Sequence, residues 1–355
     1  MRLFKGELWI EVVYDSEAVV YDQKDEWGRM LHLDIDVKAS RSKTPNQGVV
    51  AIYNLKESDR NRIRRDGKSI RVFCKYHDMD DPVMVFTGDI VFAYTIKDGT
   101  DWKTEIKAGD GWRSFSQSIT SRNYAAGTSN RDIVKQVAAD MGLALKESGN
   151  VLRGLIDGSI TLDGLSKDTL DEVVFDAGGE WSIQDNEIHV TPIKEPIDGE
   201  AIVLDSTSGL LENPSISEKC LKFRSQMIPA LRPGKVVELL AKEWVIESGS
   251  GRQEGNKKEQ KKKADPKKPK QQEEVMKIDR ITDYDGFYIC QSVQHVGNNY
   301  GGPFDSICEA LPYNRPELME KNSDSKRGSH RVTAGRGNRC DSWQLAATLG
   351  FNHDR

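Results

Sequence analysis

Apolar and polar side chains alternate over much of the first third of the chain. Leu31, Leu33, Ile35 and Val37 face one way, and His32, Asp34, Asp36 and Lys38 the other. Ile70, Val72, Cys74 and Tyr76 repeat the pattern, as do Trp102, Thr104, Ile106 and Ala108. A period of two predicts strands with one wet face. The runs Val49–Tyr53 and Ile90–Tyr94 are apolar on both faces, which suits strands covered on both sides, or with one face in a subunit contact. Residues 1–108 therefore predict a small antiparallel barrel or sandwich, interrupted by one short helix near Glu57–Arg65.

The period then changes. Asn130 is placed to cap a helix whose stripe is Ile133, Val134, Val137, Ala138 and Met141, stopped by Gly142. Ser166 is placed to cap a second, with Leu170, Val173, Val174 and Ala177 on one face and Gly178-Gly179 at its end. Asp185-Asn186 between two short apolar runs predicts a hairpin. Residues 109–195 thus read as a mixed α+β module. Strand patterns resume at Ala201–Leu204, Ile216–Phe223, Val236–Val245, Val275–Ile281, Gly286–Val296 and Phe304–Leu311. This second β-unit, 196–311, is interrupted by residues 249–274, whose only hydrophobic residue is Ala264 and which carry eight lysines between Lys257 and Lys270. Such a composition cannot bury enough surface to order itself. The flanking strands, Lys242–Glu247 and Val275–Ile281, are expected to pair across it, since loop-closure entropy grows slowly with length. Residues 312–355 read as a polar tail. Asp-Gly, a dipeptide that favours tight turns, recurs at Asp66, Asp98, Asp110, Asp157, Asp163, Asp198 and Asp285.

Composition narrows the classes. At 355 residues the chain is long enough for two or three domains. Net charge is −5, which argues against wholesale coating of nucleic acid. No apolar run approaches the roughly 18 residues of a membrane helix, and the first twenty residues lack the layout of a signal peptide. Cys74, Cys220, Cys290, Cys308 and Cys340 are too few and scattered for a disulfide scaffold, and predict free thiols in a protein made in a cytosol.

Three stretches resemble the central baseplate hub proteins of bacteriophage tails, the family of the trimeric hub that seats the spike. The first is Leu31-His-Leu-Asp-Ile-Asp-Val-Lys-Ala-Ser40, with Pro45-Asn46 and Ala51-Ile-Tyr-Asn-Leu55 after it. The second is Gly209-Leu-Leu-Glu-Asn-Pro214, followed by Met227-Ile-Pro-Ala-Leu-Arg-Pro-Gly-Lys-Val-Val-Glu-Leu239. The third is Gly286-Phe-Tyr288, His295-Val-Gly-Asn298 and Gly301-Gly-Pro-Phe304. The resemblance implies a mainly β fold with an α+β middle module: two tube-like antiparallel β-barrel domains flanking a mixed domain. It also implies a homotrimer, in which six barrels form a ring between a six-fold tail tube and a three-fold spike. The implied partners are other copies of the chain, tail spike protein, tail tube protein and other baseplate proteins. DNA would pass through the lumen without specific binding, and no direct membrane insertion is implied. The implied location is the virion, after synthesis in the host bacterial cytoplasm.

Candidate chemistry is sparse. His32, His77, His189, His295, His330 and His353 show no metal-ligand spacing. His32 and His189 read as surface or interface residues of strands, and His295 as a structural residue of a turn at Gln294–Asn299. Cys290 and Cys308 read as buried thiols. Glu180 beside Trp181 is the one candidate general acid, because an acid against an indole can have a raised pKa. Asp176 and Asp185 are its nearest partners in sequence, and the spacing supplies no second carboxylate across a cleft. The lysine run 257–270 lacks the aromatic interleaving of a base-stacking segment. No catalytic residue, cofactor or metal is expected. The expected role is a structural, non-enzymatic tail component. A cell-wall glycan hydrolase of the tail tip and a peripheral carbohydrate-binding adhesin are the alternatives.

Overall fold

The structure is a computed structural model that describes residues 6–21, 31–76, 81–197, 201–217, 220–241, 243–246, 277–279 and 284–313. Most of the 249–274 insert and of the 312–355 tail, together with His77, His330, His353 and Cys340, lies outside the described residues.

Seven strands form the first β-unit: β1 (Gly6–Val13), β2 (Ala18–Tyr21), β3 (Leu33–Ser40), β4 (Gln47–Tyr53), β5 (Ser69–Tyr76), β6 (Val83–Asp98) and β7 (Asp101–Gly109). Their order in the sheet is β3-β4-β7-β6-β5-β1-β2. The alternation sets which side is dry. Leu33, Ile35 and Val37 are buried, and so are Ile70, Val72 and Cys74, in one cluster with Ile52 and Ile106. The helix α1 (Glu57–Asp66) buries Ile63 in that cluster, and its Arg60 guanidinium lies 4.5 Å from the Trp102 ring centre. Val50, Ala51 and Ile52 are buried, whereas β6 leaves Phe92 55% and Ile96 44% exposed.

The mixed module holds α2 (Trp112–Gln117), β8 (Ile119–Tyr124), α3 (Asn130–Met141), β9 (Ala144–Glu147), β10 (Ile160–Leu165), α4 (Ser166–Asp176), β11 (Gly179–Gln184) and β12 (Glu187–Pro192). The α3 stripe is buried as expected, and Gly142 ends that helix at φ 69. The caps differ from the sequence expectation. Ser129, not Asn130, caps α3 by accepting from the Arg131 amide. Ser166 is the first residue of α4, and its hydroxyl bonds instead to Thr120 Oγ1 at 2.9 Å. At Ser166 the neighbouring strand β8 thus competes for the short polar side chain. Asp185 and Asn186 take φ of 54° and 63°, the pair of positive values a two-residue hairpin requires.

The second β-unit contains β13 (Ala201–Asp205), β14 (Ser215–Ile216), β15 (Leu221–Gln226), β16 (Val236–Leu240), β17 (Glu243–Ile246), β18 (Lys277–Asp279), β19 (Gly286–Asn298) and β20 (Phe304–Pro312). The expected single strands Ile216–Phe223 and Val236–Val245 are each divided in two. Strands β17 and β18 pair antiparallel across the insert, Trp244 opposite Ile278. Two pairings, β13 with β16 and β14 with β17, are parallel because other strands intervene along the chain. A core of Leu204, Phe223, Leu239, Trp244, Tyr288 and Val293 fills this unit. The fold is mainly β, with an α+β module between two β-units.

The Asp-Gly pairs do not all make tight turns. Asp98-Gly99 closes the β6–β7 hairpin with Gly99 at φ 61, whereas Asp66-Gly67 ends a helix and Asp163-Gly164 lies inside β10.

Candidate assembly junction

Both β-units belong to one fifteen-stranded sheet, and β19 is the strand that joins them. Its first residues pair with β16, Gly286 opposite Leu239 through Ile289 opposite Val236. Its later residues pair with β3, Ser292 opposite Ser40 through Asn298 opposite Asp34. The register shifts between Cys290 and Ser292, where β19 passes one extra residue against β20. A bulge of this kind bends a strand and re-aims it. At the change of partner the Cys290 amide donates to the Lys235 carbonyl at 2.9 Å, and the Arg41 amide to the Gln291 carbonyl at 3.0 Å.

The three stretches that carry the family resemblance meet here. Asn299 accepts from the Leu33 amide at 2.8 Å and donates to the Leu31 carbonyl at 2.7 Å. Met227 joins the core of the first unit, its amide donates to Phe304, and its carbonyl accepts from the Tyr76 hydroxyl at 2.8 Å. The backbone at Gly297 is pressed so closely on Ile35 and Met227 that a Cβ would lie 2.9–3.0 Å from them.

His295 is a strand residue, not a turn residue as the sequence suggests, because β19 runs on to Asn298 before the chain reverses. It is buried on the dry side of the junction. Nε2 lies 3.2 Å from the Leu231 carbonyl, which can only accept, so Nε2 carries the proton. Nδ1 then accepts from Ser306 Oγ at 2.8 Å, and that oxygen accepts from the Ile228 amide at 3.0 Å. A neutral imidazole satisfies every group in the chain of bonds. Burial pulls its pKa down from 6.5 to about 4, with the nearby Arg232 charge acting in the same direction.

The wet side of the sheet runs unbroken from β6 through β7, β4, β3, β19 and β20 to β15. Lys38, Lys103, Lys107, Lys222 and Arg224 stand there against Asp34, Asp36, Glu105, Asp305 and Glu309. Several pair directly, Lys103 with Glu105 at 3.0 Å, Lys222 with Glu309 at 3.3 Å and Arg224 with Asp305 at 2.5 Å. The face carries charges of both signs, with exposed Phe92 and Ile96 at its β6 end. His32 lies at one border, stacked on Tyr53 with ring centres 4.1 Å apart, and its Nε2 is 3.2 Å from Asp34.

The candidate acid Glu180 is placed differently. Its carboxylate pairs with Arg41, whose side chain is only 5% exposed, and Arg41 also donates to Thr191 Oγ1 at 2.9 Å. Trp181 faces the module core instead, and its indole donates to Asp171 at 3.3 Å. Asp185 sits at the other end of β11 and pairs with Arg232, while Asp176 is exposed at the end of α4. The structure therefore brings none of the three carboxylates together. His189, half-buried beside Glu187 and Lys146, has its pKa lowered by burial. Cys74, Cys220, Cys290 and Cys308 are free and buried. Burial pushes the Cys74 thiol up to about 12, and burial with its Cys290 neighbour raises Cys308 well above the usual thiol value. Among the described residues no group of three His, Cys, Asp or Glu side chains is arranged to hold a metal, and no helix is long and apolar enough to cross a membrane.

A Glu180→Gln protein is expected to lose about 2 kcal/mol of stability, because it strips the charge from the partner of a buried guanidinium. The upper end of the range for a buried pair does not apply, since Glu180 is one-third exposed. Urea denaturation of the variant and its parent measures this, and equal midpoints would contradict the pairing.

No family model matches the chain, and no curated protein matches it. Solved structures do. The 43 kDa tail protein of prophage MuSo2 from Shewanella oneidensis superposes with a TM-score of 0.54 at 8% identity, over 88% of this chain and 98% of that one. A tail protein from Neisseria meningitidis MC58 superposes with a TM-score of 0.51 at 10% identity, over 85% of this chain and 96% of that one. The chain thus has the fold of phage tail proteins along nearly its whole described length.

Proposed function

We propose that the chain is a structural, non-enzymatic component of a bacteriophage tail: the baseplate hub at the tip of the tail tube, joining the six-fold tube to the three-fold cell-puncturing spike. The observation that carries this reading is the edge-to-edge union of two β-units through β3 and β19. Three copies of a chain that already joins two such units side by side supply six units to a ring. The fold shared with tail proteins supports the reading, as does the meeting of all three hub-like stretches at that union. In a ring the part of this face on β3, β19, β20 and β15 is the one suited to line the lumen. There Lys38, Lys222 and Arg224 stand against Asp34, Asp36, Asp305 and Glu309, so passing DNA finds no net positive surface to hold it. The exposed Phe92 and Ile96 on β6 suit burial against another copy.

The work of such a hub is mechanical. It bears on the tube above and the spike below, and contacts other baseplate proteins in the virion after synthesis in the host bacterial cytoplasm. DNA crosses it without specific binding, and it does not insert into the membrane.

The mass of the purified particle tests this. Three times the chain mass of 39.9 kDa is expected, falling toward a single chain in Phe92→Asp. A stable monomer at micromolar concentration, with no affinity for spike or tube protein, sinks the proposal. The hydrolase reading is tested separately by a cell-wall zymogram with Glu180→Gln as its control. Carbohydrate binding is not favoured by the tryptophans, since Trp181 and Trp244 are buried and one face of the 43% exposed Trp102 is taken by Arg60.

A further inference from the structure

The mixed module has a hydrophobic core of its own, built on residues such as Ile133, Val137, Leu170 and Trp181, and shares no core residue with either β-unit. What ties it to the sheet is largely polar. Asn46 Nδ2 donates to the Ile183 carbonyl at 3.1 Å and to Gln184 Oε1 at 2.8 Å, and Gln184 Nε2 returns to the Ser40 carbonyl at 2.9 Å. Asp110 accepts from the backbone amides of Asp185 at 2.8 Å and Asn186 at 2.7 Å, which fixes the β11–β12 turn. Arg41 pairs with Glu180, Lys43 with Asp171 and Arg232 with Asp185, and Arg113 bonds Asp89 and the Lys68 carbonyl.

The two ends of the module cross this seam at opposite ends of the β11–β12 hairpin, Gly111 beside Ile183 and Lys194 with its amide toward Glu180. The chain enters at Gly111, at φ 59, and leaves at Lys194, at φ 66. Left-handed conformations at both crossings give sharp bends, not continuous strands or helices, and the two bends together define an axis along the hairpin. Units of one chain that meet through polar contacts move relative to one another far more readily than units sharing an apolar core.

We propose that the mixed module, residues 111–194, is a hinged body that swings as one piece against the β-sheet, with Asp110 as its latch. The latch is costly to keep shut. Asp110 is 2% exposed, and burial pushes its pKa up to about 6 in spite of the bonds from Asn186 and Asn46 and the nearby Arg232 charge; Asp89 adds a repulsive charge. The seam therefore combines directional bonds that fix one closed position with a buried charge that opening would rehydrate. This inference is independent of the hub reading, since it concerns one chain.

Amide hydrogen exchange on the full chain tests it. In Asp110→Ala the amides of Asp185 and Asn186 are expected to exchange at least about tenfold faster, as fits the loss of bonds to a charged acceptor. Exchange within α3, α4, β3 and β4 should be unchanged. Asp110→Asn, which keeps the volume and one acceptor oxygen, should give a smaller rise at the same two amides, and it decides the matter if the alanine variant does not fold. Equal acceleration throughout α3, α4 and the β-sheet would show a single cooperative body and overturn the hinge. So would the absence of any rise at the turn.

Discussion

A His295→Leu protein is expected to be about 2–4 kcal/mol less stable than its parent at pH 7, with the gap closing as the solution is acidified. The first part follows from the bonds around the ring. Leucine fills most of the space but leaves the Leu231 carbonyl and the Ser306 hydroxyl proton unpaired in the interior, each at the cost of a buried unsatisfied group. The second part follows from proton linkage. The unfolded imidazole takes up a proton near pH 6.5, and the folded one only near 4. Between these values the unfolded state binds more protons, so the stability that neutral His295 brings is present above 6.5 and is lost as pH falls toward 4. The variant lacks this loss. Asp110 pulls the other way in both proteins, because its folded carboxyl protonates near 6, above the unfolded value. His189, lowered by burial, adds to the acid loss in both. The difference between the two curves isolates His295. Denaturant titrations at pH 7, 5.5 and 4 measure it, and a gap that does not change with pH would refute the buried neutral imidazole.

Trp244→Ala is expected to cost about 3–5 kcal/mol, enough to threaten the second β-unit as a whole. Trp244 is among the largest fully buried side chains, packed near Tyr284 and Tyr288, with its indole nitrogen 3.3 Å from Asp285. It stands on β17, whose pairing with β18 closes the connection across the lysine-rich insert. Removing the indole opens a cavity and leaves the short β17–β18 pair with little to rest on, since an isolated two-stranded hairpin is marginal in water. Guanidinium denaturation followed by tyrosine and tryptophan fluorescence reports the loss. A cost below about 1 kcal/mol would mean that the site collapses around the gap, and that β17 is not anchored by this ring.

The elements legible in the sequence are those whose signals are local. Leu33, Ile35 and Val37 alternate because one side of β3 is dry, and Gly142 and Asp185-Asn186 mark a helix end and a turn through backbone conformations that few residues accept. The pairing across the insert was also readable, because it needs only two apolar strands and a tolerant loop. The contacts that define the junction were not. Ser40 and Ser292 are opposite each other in space but carry no mark of it in their own neighbourhoods. His295 was misplaced because the residues after it, from Gly297 to Gly302, read as a turn that begins earlier than it does. Glu180 looked like an acid beside an indole, but neighbouring residues of a strand point to opposite faces, and the guanidinium it meets comes from a loop far off in sequence.

The union of β3 with β19 also constrains how the polypeptide can be made. Gln294 bonds Asp36 across a separation of 258 residues, and Met227 completes a core whose other members lie before residue 109. A ribosome extending the chain at about 5–20 residues per second leaves β3 with a bare margin for tens of seconds. Through that interval the N-terminal segment exposes an unpaired strand border, the feature most prone to wrong pairing with a nascent neighbour. Vectorial synthesis thus makes β19 the closing step of the first unit, and a product truncated before it would carry the sticky border permanently.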